Sequence, residues 1–149
     1  MLVPFVTPGD LVQDFVRKYN ETAEALRATP FHILLKDLDL RANNNYTLVP
    51  PADYSKLFFL SNPLIILNDA EAPYSAETAP IISIGVGQEA TSLCPSLTLN
   101  QNFEQAKPIP LTGIAGIITA PEGIYLQVQR KAQTTTAFAH LILSYLIIE

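Results

Sequence analysis

The stretch Gly123-Ile124-Tyr125-Leu126-Gln127-Val128-Gln129 decides the fold. Ile124, Leu126 and Val128 fall on one side of an extended chain, and Tyr125, Gln127 and Gln129 on the other. That two-residue period belongs to an antiparallel strand with one face in a core and one in water. Downstream, Thr134-Thr135-Thr136 leads into Ala137 to Ile148, apolar at odd and even positions alike, as in a central strand or one covered by a partner. Upstream, short β-prone runs recur between Pro, Gly and Asn: 32–38, 46–49, 56–60, 64–68, 81–86, 93–99 and 114–120. With 123–130 and 134–148 they make a mainly β chain whose prolines exclude long helices after residue 30. Seven to nine short strands with frequent turns predict a jelly-roll-like antiparallel β-sandwich over 31–149.

The first thirty residues follow another rule. Leu11, Val12, Phe15, Val16, Tyr19, Ala23 and Leu26 recur at spacings of three and four, with Asp14, Arg17, Lys18, Glu21 and Glu24 between them. Asp10 with Gln13 three residues on reads as a capping box, and Thr29-Pro30 stops the run, so the spacing predicts one amphipathic α-helix over 10–28. Before it, Pro4 and Pro8 hold an extended apolar arm. Leu2, Val3, Phe5 and Val6 are its candidate partner-binding residues, and residues 1–30 are read as arm and helix.

Composition narrows the work such a chain can do. It has 149 residues, a net charge of -5 and only 15% charged side chains, eleven of the 23 lying in residues 1–41. A chain so poor in charge is neither disordered nor a coiled coil. Its negative sign argues against nucleic acid and against anionic membranes as partners. No basic stretch precedes the broken apolar start, so a secretory signal is not expected, and the Asn20-Glu21-Thr22 and Asn45-Tyr46-Thr47 acceptor patterns read as chance. Ala137 to Ile148 is too short to span a bilayer as a helix.

The chemical inventory is thin. Gly85-Val86-Gly87-Gln88-Glu89-Ala90 matches the dinucleotide fingerprint, yet that motif needs a helix next, and the following Pro95 and β-like alternation predict a glycine turn between strands. Cys94 is single and reads as a small buried hydrophobe. His32 and His140 have apolar neighbourhoods and read as satisfied polar groups. Asp69, Glu71 and Glu77 around Pro73 read as a solvated loop, and no Gly-x-Ser-x-Gly elbow is present. The expectation is therefore no catalytic residue, no cofactor and no metal.

Several runs together resemble the small β-sandwich decoration, or cement, proteins of tailed-bacteriophage capsids. They are Tyr46-Thr47-Leu48-Val49-Pro50-Pro51, Leu57-Phe58-Phe59-Leu60-Ser61-Asn62, Ala72-Pro73-Tyr74-Ser75 before Ile81-Ile82-Ser83-Ile84-Gly85, and the closing Leu141-Ile142-Leu143-Ser144-Tyr145-Leu146-Ile147-Ile148. The resemblance implies a non-enzymatic virion protein on the capsid surface, a homotrimer whose partner is the major capsid protein. A tail, baseplate or receptor-recognising module is the alternative, with Tyr46, Tyr54 and Tyr74 stacking on sugars; a cupin or glycosidase enzyme comes third.

Overall fold

A tight hairpin shows how local chemistry sets the architecture. β5 (Ile81–Val86) and β6 (Glu89–Thr98) are joined by Gly87-Gln88 alone, with φ +55° at Gly87 and no positive φ at Gln88, the pattern of a type II′ turn whose twist matches its strands. Of the fingerprint-like glycines, Gly85 therefore lies within β5 and Gly87 in the turn that follows it. The structure, a computed structural model, describes residues 30–51, 56–114 and 116–148. The helix predicted over 10–28, the arm residues Leu2, Val3, Phe5 and Val6, and Tyr54 lie outside the described residues.

The described residues of Phe31–Glu149, one compact unit, form ten strands in two antiparallel sheets. The remaining eight are β1 (Phe31–Asp39), β2 (Asn45–Val49), β3 (Lys56–Phe59), β4 (Leu64–Leu67), β7 (Pro108–Pro110), β8 (Ile117–Ile118), β9 (Ile124–Arg130) and β10 (Phe138–Ile148). Sheet B runs β2-β9-β5-β6. Sheet A is organised by β10, which pairs with β1 on one side and with both β3 and β4 on the other. β3 and β4 lie end to end along β10, interrupted at Leu60 to Pro63. β7 and β8 lie end to end in the same way, against β4 and β3 respectively. Sheet A is thus four rows wide. Counting interrupted strands once, eight rows run in the order 1-8-3-6 in sheet A and 2-7-4-5 in sheet B.

Alternation places one apolar set between the sheets. Ile124, Leu126 and Val128 of β9, Ile82 and Ile84 of β5, and Ala139, Leu141, Leu143 and Tyr145 of β10 are buried in a single core with Leu57, Ile65 and Leu67. Each fully buried Leu or Ile contributes roughly 1.5–3 kcal/mol before ordering costs, and that burial holds the two sheets together. β1 keeps its place through a bulge: Leu35 faces Leu141 but Leu38 faces Ala139, so one extra residue is absorbed at Asp37, φ +54°. The Asp37 N–H donates to His140 Nδ1 at 3.1 Å, and the changed parity turns Leu38 and Leu40 into the core.

The sheet margins carry residues that discourage further pairing. β7 is a Pro-Ile-Pro edge, Pro95 lies in edge strand β6, and the exposed Lys36 and Asp37 sit at the bulge of edge strand β1. Three boundaries differ from the sequence expectation. Thr134 to Ala137 precede β10 as a turn instead of belonging to it, only Ile117–Ile118 of 114–120 joins the ladder, and β6 begins at Glu89 because its hairpin is so short.

Candidate functional site

The two outer faces of the unit differ in chemistry. On sheet B, the outward residues are Asn45, Thr47, Tyr125, Gln127 and Gln129, and Gln129 accepts a hydrogen bond from the Ser96 hydroxyl. Apart from Arg130 at the end of β9, whose guanidinium donates to the Ala76 and Ala79 carbonyls, this face is polar without being charged. On sheet A, directly paired side chains make apolar lines across the strands. One runs from Leu34 through Ile142 and Leu64 to Pro110, and a second from Leu146 through Phe58 to Ile117. Leu34 is 51% exposed, Ile117 58%, Ile142 38% and Phe58 37%, well beyond what a face turned permanently to water usually carries.

Polar groups on this face are either mutually satisfied or marginal. His32 and Ser144, paired across β1 and β10, share a hydrogen bond of 2.8 Å between Nδ1 and Oγ. His140 uses Nδ1 to accept the Asp37 N–H, which leaves the proton of its neutral ring on Nε2. Charge sits at the margins: Lys56 beside Ile148, Asp39 beside Phe138, and the exposed Lys36 and Asp37 along edge strand β1. Arg41 pairs with Asp39 at 2.9 Å and lies 4.8 Å from the Phe138 ring centre. The hydrogen bond from Arg41 holds the Asp39 carboxyl below its usual range. What the arrangement can do is bind an apolar surface at its centre, with a polar rim to orient it.

Elsewhere the acidic loop proves structural. Asp69 is buried, and Oδ2 accepts the Tyr74 hydroxyl and the Phe138 N–H while Oδ1 accepts the Glu71 N–H and the Thr136 hydroxyl. Both oxygens are occupied by donors, so the sequence reading of Asp69 as a solvated loop acid is corrected. Tyr74 is only 1% exposed, and burial, reinforced by Asp69, raises its pKa. Tyr46 both accepts from the Asp39 N–H and donates to the Asp39 carbonyl. Neither ring stands free for sugar stacking, contrary to the sequence expectation. Among the described residues, no three His, Cys, Asp or Glu side chains converge as metal ligands. None of them forms a helix long and apolar enough to cross a membrane.

Cys94 is buried and its thiol donates to the Leu111 carbonyl at 3.2 Å. Burial pushes its pKa up to about 11, so at pH 8 only about one thiol in a thousand is ionised. Native protein should leave an aromatic disulfide reagent unreacted at pH 8 and consume one equivalent once unfolded in guanidinium. Rapid labelling of the native state would contradict this environment.

An open groove of about 350 Å³ at the hairpin end of sheet B is lined by Asn45, Gly87, Gln88, Glu122 and Tyr125. Sequence reasoning missed both this groove and the breadth of the apolar face. The first gathers residues from three separate stretches of chain, and the second depends on which strands lie side by side. No family model matches this chain, and no curated protein matches it.

Proposed function

We propose that this chain is a non-enzymatic structural protein of a tailed-phage virion, a decoration protein that stabilises the capsid lattice, with the major capsid protein and further copies of itself as partners. The observation that carries this reading is the row order, 1-8-3-6 facing 2-7-4-5. We take this as a jelly roll of two Greek keys, an arrangement used by viral capsid proteins, lectins and cupins. Fold likeness alone does not set function, and the side chains separate these uses. A cupin-type enzyme needs metal ligands inside the sandwich, whereas both histidines here belong to the outer face of sheet A and the space between the sheets is filled by Leu, Ile and Ala.

In this reading the unit 31–149 is the sandwich, and residues 1–30 supply an arm and an amphipathic helix. Leu2, Val3, Phe5 and Val6 dock on capsid subunits, and a homotrimer spreads that contact over several lattice positions. The test is co-sedimentation with capsid shells assembled from the major capsid protein of the same genome. Saturable pelleting that is lost when Leu2, Val3, Phe5 and Val6 are all changed to Ser is expected. A chain that stays in the supernatant overturns the reading. A tail or baseplate module is the second reading, supported by the groove at Tyr125, where amides and a carboxylate surround an aromatic ring as in sugar sites. Binding to host envelopes in place of capsid shells would select it.

A further inference from the structure

We propose that the outer face of sheet A is the surface by which copies of this chain bury one another, with strand β10 at its centre. This rests on the reading of the chain as an assembly subunit and names the contact it uses. Among the described residues the exposed large hydrophobics are Phe31, Leu34, Phe58, Leu60, Ile117 and Ile142; Phe31 stacks on the inward Tyr145 at the core margin, and the other five belong to the outer face of sheet A or to the link between β3 and β4. Sheet B presents amides and hydroxyls instead, so only one face needs cover. Its size suits a partner of the same kind. β10 has eleven residues, about 36 Å at roughly 3.3 Å each, and four rows at about 4.8 Å span about 19 Å. The footprint is about 700 Å², close to the roughly 800 Å² that each side of a stable interface gives up.

The occupant is a second copy because the face is its own complement. Its middle is uncharged, and its charged groups lie on the rim: Lys56 at one end, Asp39 with Arg41 at the other, and the exposed Lys36 and Asp37 along edge strand β1. A flat apolar sheet packs on an identical sheet about 10 Å away, whereas the polar face of sheet B offers no matching surface on which to stack further. Assembly through this face therefore closes at a small number of copies.

Light scattering on the full chain at about 10 µM is the test. A mass of two or three copies is expected, falling to one copy in Ile142→Lys and in Ile117→Lys. Both variants should keep the wild-type circular dichroism, because both side chains are already partly in water. Gln129→Lys, on the outer face of sheet B, should leave the oligomer intact. A monomeric wild-type chain, as would follow if anything other than a second copy covers the face, overturns the inference. So does an oligomer indifferent to both lysine substitutions. A monomer that still pellets with capsid shells defeats this inference alone, while a lysine-sensitive oligomer that ignores shells defeats only the virion reading.

Discussion

Replacing Asp69 with alanine should lower the unfolding free energy by about 3–4 kcal/mol, a large share of the 5–15 kcal/mol typical of a domain. The carboxylate receives four donors and ties the loop after β4 to the start of β10, since Thr136 and Phe138 lie 67 and 69 residues away in sequence. Without it, the buried Tyr74 hydroxyl and the part-buried Phe138 N–H both lose their acceptor. Each such orphan costs roughly 1–3 kcal/mol, in addition to the lost charge-assisted bonds. Tyr74→Phe removes one donor but leaves the acceptor with three others, and should cost only about 1 kcal/mol. Urea unfolding of the two single variants and the double variant measures the coupling directly. An Asp69→Ala loss below 1 kcal/mol would show that the loop is not anchored through this side chain.

Gly123→Ala is expected to cost about 3–5 kcal/mol, for two separable reasons. The residue has φ +85°, where a Cβ is strained by about 1–2 kcal/mol. That Cβ would also stand 2.7 Å from the Val49 carbonyl oxygen and 3.0 Å from the Pro51 nitrogen. Both are backbone atoms, so no rotamer change relieves the overlap, and the end of β2 must move away from β9. Gly116 supplies the comparison: it has φ +68° but nothing within 4 Å of its would-be Cβ. Gly116→Ala should therefore show the dihedral cost alone, about 1 kcal/mol. Equal melting temperatures for the two variants would refute the steric half of the argument.

The β-rich character was legible because inward residues alternate strictly, as in β9, and because a strand apolar on both faces, such as β10, belongs in the middle of a sheet. Alternation fails where the chain changes parity. Nothing in Leu35-Lys36-Asp37-Leu38 announces the bulge, which exists because a His140 side chain from another strand accepts the Asp37 N–H. β7 was invisible for a different reason: three residues, two of them proline, carry no period. The role of Asp69 was legible only in part. Its bond to the Glu71 N–H, two residues on, is ordinary turn chemistry, whereas its other three donors are delivered by tertiary structure. The apolar face shows the same limit. Ile142 and Leu146 hint at it within one strand, but Leu34, Phe58 and Ile117 join them only through pairing.

Strand β10 also governs the order in which the unit can be made. Every pairing of β1 waits for it, and the Phe31 to Tyr145 contact closes a loop of more than a hundred residues. Such closure costs on the order of 4 kcal/mol in chain entropy before any apolar contact repays it. Sheet B, by contrast, has all four of its strands once Arg130 has been synthesised. A growing chain therefore carries one finished sheet with its apolar side uncovered until the last of the described strands arrives. Non-local wiring of this kind folds in milliseconds to seconds. During that interval the uncovered apolar side is the surface through which the nascent chain can aggregate.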